Sequence, residues 1–357
     1  MGLGAIVVIG AGSGTGGLRS RARQGSGEPL FAEPVECIDI LGRSMLERTI
    51  ERFNRADVDA ITVLAPSGYS FPALTGNLSN VSRLAENDVS SAIVQRLTEY
   101  SQNGIDHSFV TAASLYTETD LLDFFYFHRE ARQGATRGQD SQSPLDLWVV
   151  DCAKAKFIDV QSLLAGTAKT DASYFIREYV SRLGEARDLR RLVSDALCGR
   201  CAVRSTGREI KPGIWVEGGA EIHRGARIVA PAFIGAGTCI EEDTLITRCS
   251  SIEKGCYIDC GTVIEDSSVL ANTHIGIWLD VCHAVAGGNK LWSLAHEAMV
   301  EISDASILRS NGAVRQETHP ACEHQPQPAE QQIVAAIQQQ PPTRETCGLE
   351  PILSRGD

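Results

Sequence analysis

The chain of 357 residues is long enough for two domains with separate cores, and 43% hydrophobic with 22% charged residues is an ordinary globular composition. A formal net charge of −12 and a pI near 5.2 argue against nucleic acid or an anionic membrane as the main partner, because either polyanion repels such a surface. A small phosphorylated ligand stays open, since it needs only a nest of backbone amides and one or two cations.

No stretch approaches the roughly 20 apolar residues of a membrane span. The opening "MGLGAIVVIGAG" lacks a basic n-region and a small-residue cleavage site, and Ile6 stands where a myristoylation signal wants Ser or Thr. The 11 cysteines are odd in number and show no disulfide framework. A cytoplasmic chain with reduced thiols is the expectation.

Taken in order, "AIVVI" (5–9) is a short buried strand, followed by the glycine-rich "GAGSGTGGLR" (10–19). Ser44 with Glu47 three residues on is a capping box, and Met45, Leu46, Thr49, Ile50 and Phe53 form a helical stripe. "AITVLAP" (60–66) is the next strand, 87–104 a helix ending at Gly104, and "IDHSFVTA" (105–112) a strand. A helix from about Thr119 and the strand "LDLWVV" (145–150) follow, the "FFYF" cluster at 124–127 being helix packing. This alternation predicts an α/β domain over 1–170, a mostly parallel sheet flanked by helices on both faces. Residues 172–197 read as helical, within a bridge over 171–208 in which "RDLRR" (187–191) is a solvated face. "CGRC" (Cys198–Cys201) ends that helical stretch, with neither the second pair a structural zinc wants nor the strand-to-helix context of a redox motif.

From Ile210 the pattern changes. An aliphatic residue returns every six positions through Val216, Ile222, Ile228, Ile234, Ile240, Ile246, Ile252, Ile258, Ile264 and Leu270. Four places after most of them stands a small residue: Ala226, Ala232, Thr238, Thr244, Ser250, Cys256, Thr262, Ser268. This hexapeptide period predicts a parallel β-helix over 209–310, about four coils with the aliphatic residue inward and the small one fitting beside it. The ladder slips after Ile275, where a cap is expected, and Asp280 with His283 is read equally as a metal pair or a polar cap turn. The Gln- and Pro-rich tail, 311–357, has too little apolar content to fold.

An α/β domain opening on a glycine loop and followed by hexapeptide coils resembles the sugar-1-phosphate nucleotidyltransferases, among them the mannose-1-phosphate guanylyltransferases. The likeness covers about residues 1–285 and lies in "GAGSGTGGLR", in "PVECIDILGRSMLERTIERFNRADVDAITVLA" and in "FVTAASLYTETDLLDFFYFHREARQGAT". It implies left-handed coils, a loop in which Gly10, Ala11, Gly12, Ser13, Gly14 and Thr15 cradle phosphate, and Arg19 as the loop arginine. It also implies a lysine and a Mg²⁺-binding aspartate. Here those two positions hold Val35 and Ser114. The family's later Glu-Lys-Pro segment has no counterpart, and Mg²⁺ is the cofactor that any surviving chemistry would need.

Nucleotidyl transfer brings anionic reactants together, so the site must supply cations, and each lost one typically costs several kcal/mol of transition-state stabilisation. The expectation is therefore a degraded site that binds a nucleotide or nucleotide sugar in regulation or scaffolding, as a homo-oligomer or with a catalytic paralogue. Three alternatives were open. Asp39, Asp151 or Asp159 in place of the missing carboxylate would leave an active transferase. A base at His223 or His274 would make the coils an acyltransferase. Gly12, Gly14 and Gly17 fit a dinucleotide fingerprint, but no apolar helical stripe follows them.

Overall fold

A computed structural model describes residues 2–9, 35–66, 78–84, 89–160 and 172–311. The glycine loop 10–19 and residues 312–357 of the tail lie outside the described residues. The chain divides into two compact units, Met1–Leu192 and Val193–Asp357.

The first unit begins with β1 (Gly2–Val8), an apolar run buried on both faces. A hairpin of β2 (Asp39–Ile40) and β3 (Arg43–Ser44) leads into α1 (Met45–Arg55), whose capping box is formed as the sequence implied: Glu47 N–H donates to Ser44 Oγ and Ser44 N–H to Glu47 Oε2. Next come β4 (Ala60–Pro66), β5 (Leu78–Leu84), α2 (Val89–Gln102), β6 (Ile105–Ala112) and β7 (Leu115–Thr117). Then follow α3 (Leu121–Ala131), β8 (Ala135–Gln139), β9 (Pro144–Asp151), β10 (Ser173–Phe175), β11 (Val180–Arg182) and α4 (Ala186–Leu197).

Seven strands form one sheet in the order β10-β8-β9-β6-β1-β4-β5, parallel except for β9, which runs against both β6 and β8. Leu46, Ile50 and Phe53 of α1 and Leu121, Phe124 and Phe125 of α3 pack with Ala5, Val7 and Val63 on one face. Ile93, Leu97 and Tyr100 of α2 pack with Ile6, Val8 and Trp148 on the other. Alternate residues of β1 thus enter different cores, which is why its sequence is continuously apolar. One expectation is corrected: residues 172–185 are not helical but hold β10 and β11. Tyr174 and Phe175 pair along the sheet edge at β8, and Val180 pairs with Thr117, so ladder partners override the local helical pattern.

In the second unit the chain passes in rotation through three sheets. Ile222, Ile240 and Ile258 stand in register in one, Ile228, Ile246 and Ile264 in another, and Val216, Ile234 and Ile252 in the third, all parallel. These side chains form a single buried core. The period differs from the sequence reading at two places. Residues Arg208–Lys211 pair antiparallel with Ile214–Val216, so Ile210 belongs to a lead-in strand outside the repeat. Past Ile264 the circuit shortens by one residue: Ile252 pairs with Val269, Ile258 with Ile275 and Ile264 with Val281. Val269, not Leu270, is therefore the inward residue, and the slip falls at the corner after Glu265. Beyond Ala284–Gly287 the antiparallel strands Lys290–Ser293 and Ala298–Glu301 close off that sheet.

The small residues do more than fit. Thr238 Oγ1 donates to Glu253 O at 2.9 Å, Thr262 Oγ1 to Gly276 O at 2.7 Å, Ser267 Oγ to Val281 O at 3.0 Å and Cys256 Sγ to Leu270 O at 3.0 Å. Each tethers its corner to the following circuit through a bond from its side chain to a backbone carbonyl there. Thr262→Val keeps the volume and removes both its donation to Gly276 O and its acceptance from Leu279 N–H. The expected cost is about 1–3 kcal/mol in chemical denaturation of the second unit, with Thr262→Ser retaining most of it.

A histidine pair joins the start of β6, at His107, to the last turn of α3, at His128. His128, only 1% exposed, bonds Thr136 Oγ1 through Nδ1 at 2.8 Å and meets the His107 ring edge-on at 5.4 Å. Burial, then the neighbouring His107, pushes His128 down to about 4, and burial also lowers His107. A lowered folded-state value means the unfolded chain takes up protons first as pH falls. Stability is therefore intact above about 6.5 and drains away towards pH 4, by about 3 kcal/mol from His128. Thermal midpoints between pH 7 and pH 4 should fall less steeply in His128→Gln than in the wild type.

Candidate functional site

From β1 the chain moves outward to β4 and β5, then crosses back to β6 on the other side of β1. This reversal makes the C-terminal ends of β1 and β6 a topological switch point, the place where open α/β sheets leave a crevice for a ligand. The glycine-rich segment follows β1 at this point. Ile9 N–H donates to Leu64 O and Ala113 N–H to Val8 O, both at 2.9 Å, so the three strand ends are tied together where that segment departs. Gly10, Ala11, Gly12, Ser13, Gly14, Thr15 and Arg19 themselves lie outside the described residues.

Ser114 stands directly after Ala113, beside the exit of β1. It is 2% exposed, its carbonyl accepts from Leu183 N–H at 3.0 Å, and its hydroxyl has no hydrogen-bond partner. A neutral hydroxyl thus occupies the position that the family likeness assigns to a metal-binding carboxylate. Val35, at the lysine position, opens a 3-10 turn (Val35–Cys37) and is half-buried.

A further charged group on this edge escaped the sequence reading. Because β8 runs parallel to β6, its C-terminal hairpin reaches the same edge and brings Asp140 there. Asp140 Oδ1 accepts from the amides of Gln142 at 2.8 Å and Ser143 at 2.9 Å, and its Oδ2 accepts from Arg182 Nη1 at 2.8 Å. Arg182 pairs across β11 with Leu115, the residue after Ser114, and also donates to Ser143 O and Oγ. Burial alone would raise the Asp140 carboxyl, but Arg182 and the two amides outweigh it and hold it at about 2. The turn-forming "QDSQSP" was a legible signal for this hairpin. What no local pattern reveals is the arginine more than forty residues away.

The substitute carboxylates are placed elsewhere or are engaged. Asp151 lies opposite His107 at the other end of β6, caps the turn Cys152–Phe157 and pairs with Lys154 at 3.0 Å. Asp159 is exposed just beyond that turn, and Asp39 sits in the β2–β3 hairpin opposite Ser44. Among the described residues no group of three or more His, Cys, Asp or Glu is placed to hold a metal ion. A hydroxyl at Ser114 and a carboxylate already neutralised by Arg182 do not fit a Mg²⁺ site.

Three described histidines of the second unit, His223, His274 and His283, are tied into structure. His223 Nδ1 accepts from Gly225 N–H at 3.2 Å. His274 is buried, bonds Asp259 Oδ2 through Nε2 at 2.9 Å and neighbours Tyr257, whose hydroxyl donates to Glu241. His283 pairs with Asp266 at 2.6 Å rather than with Asp280. Among the described residues no helix is long and apolar enough to cross a membrane.

No family model matches this sequence, and no curated protein matches it. Among solved structures, one designated a glucose-1-phosphate thymidylyltransferase from Bacillus anthracis, in complex with a sucrose, is 12% identical. That alignment covers 53% of this chain and 93% of the other at a TM-score of 0.38. HddC from Yersinia pseudotuberculosis, with GMP-PN and without it, is 13% identical over 54% of this chain and 97% of its own, at 0.39. Likeness at these scores carries no conclusion about this chain.

Cutting the Arg182–Asp140 link should loosen this edge. Arg182→Ala leaves a buried carboxylate on its two amides alone, with an expected loss of roughly 1–3 kcal/mol in denaturant unfolding of the first unit. Asp140→Asn, which still accepts the two amide hydrogens, should cost less.

Proposed function

We propose that this chain is a sugar-phosphate nucleotidyltransferase-like protein that binds a nucleotide or nucleotide sugar without transferring it. The observation that carries the reading is the switch point itself: a glycine-rich segment leaves β1 beside a buried, neutral Ser114. Backbone amides in such a segment favour a phosphate, while a hydroxyl in place of a carboxylate, and Val35 in place of a lysine, remove the charges that activate one. Arg19 is the candidate cation for the bound phosphate. The second unit is, in this reading, a left-handed β-helix of hexapeptide repeats that serves self-association or docking to a catalytically complete paralogue, and the protein works in the cytoplasm.

Calorimetric titration with a panel of nucleoside triphosphates and nucleotide sugars is the test. At least one should bind, and Arg19→Ala should weaken it by about tenfold or more, equivalent to about 1.4 kcal/mol. Pyrophosphate release with Mg²⁺ and sugar 1-phosphates should not exceed the buffer rate. Turnover that needs both substrates and is lost in Arg19→Ala would replace this reading with an active transferase. Absence of any nucleotide binding would overturn it altogether.

A further inference from the structure

The motif "CGRC", left without a role above, has a partner that only the fold brings to it. The helix α4 ends at Leu197, and Gly199, at a φ of 70°, turns the chain away just after Cys198. Cys198 Sγ then lies 3.3 Å from Cys249 Sγ, across 51 residues of sequence. Both residues fall within the second compact unit.

Cys249 is an unusual residue in the repeat. It sits at the corner between Leu245–Thr247 and Ser250–Ile252, where it and Arg248 both have left-handed backbones, with φ of 58° and 55°. In the next circuit Thr247 pairs with Glu265 but Ser251 with Ser268, so the later corner is one residue shorter. The longer corner spends its extra residue on presenting a thiol to the end of α4. A left-handed backbone is costly for a residue with a Cβ, and glycine would relieve it.

We propose that Cys198 and Cys249 form a reversible disulfide site that fastens the end of α4 to this corner. The reagent is a low-molecular-weight disulfide such as glutathione disulfide. Cys198 is half-buried and Cys249 buried, so the reagent meets Cys198 first. The Cys198 thiolate attacks one sulfur of the reagent, forming a mixed disulfide and expelling one thiolate. The Cys249 thiolate then attacks the Cys198 sulfur and expels the second. Two protein thiols are oxidised, one reagent disulfide is reduced to two thiols, and the two protons released by the cysteines end on those products. Closing the bond needs the sulfurs to approach by about 1 Å, within side-chain rotation. Arg200 is held by Asp195 at 2.6 Å and interacts electrostatically with both sulfurs, placing a cation beside the anionic intermediates. Burial pushes the thiols of Cys152, Cys239 and Cys256 up to about 12, which keeps them unreactive.

The test uses the full chain, equilibrated with glutathione disulfide, quenched by alkylation, digested and mapped by mass spectrometry. A peptide pair linked through Cys198 and Cys249 should dominate, disappear on reduction, and persist in Cys201→Ser. The thermal midpoint of the wild type should rise by several degrees on oxidation and return on reduction. Cys198→Ser and Cys249→Ser should both lack that rise; the first leaves the strained corner untouched and so guards against a folding defect in the second. A Cys198–Cys201 link, a glutathione adduct that stays on Cys198, or full alkylation of both thiols after oxidation would each overturn the proposal. None of these readouts depends on nucleotide binding.

Discussion

The burial of β1 on both faces is the constraint from which the first unit follows. A strand of Ala5, Ile6, Val7 and Val8 has no side to show to water, so it must lie inside a sheet with helices on each face. Burying each large aliphatic side chain is worth about 2 kcal/mol, which is ample to hold α1 and α3 against one face and α2 against the other. Once β1 is central, whatever follows Val8 must emerge at the C-terminal edge between β4 and β6. A packing requirement thus fixes the sheet edge from which the glycine-rich segment departs.

At that edge the electrostatics differ from what metal-assisted transfer demands. Ser114 contributes a neutral oxygen, and Asp140 is saturated by Arg182 and two amides. A carboxylate so well satisfied has little to gain from a metal ion, because binding one would mean giving up charge-assisted hydrogen bonds already made. A phosphate asks less of its surroundings than a Mg²⁺-bridged transition state does, which is why the proposal is one of binding without transfer.

In the second unit the repeat is held by two components with different tolerances. The aliphatic column is held in register by volume, and it tolerates a circuit shortened by one residue because the loss is absorbed at a corner. The hydroxyls and thiol at the small positions are less forgiving, since each bonds a particular backbone carbonyl one circuit further on. The corner that keeps the extra residue is the one facing the end of α4.

Much of this was legible in the sequence. The capping box at Ser44 and Glu47, the strands 60–66 and 105–112 and the inward isoleucines all follow from local propensity and period, which act over a few residues and leave a pattern in the chain itself. The strands within 172–185, the reversed direction of β9, the inward place of Val269 and the pairs Arg182–Asp140 and Cys198–Cys249 left no such pattern. Each depends on a partner brought close only when the chain has folded, and a ladder, an ion pair or a thiol contact is decided by the distance between two atoms, not by the residues on either side of one. The sequence by itself determined which segments are strand, helix or repeat and that a glycine loop follows the first strand. The tertiary structure alone decided which groups share the sheet edge at the end of that strand, because hydrogen bonding and charge act through space.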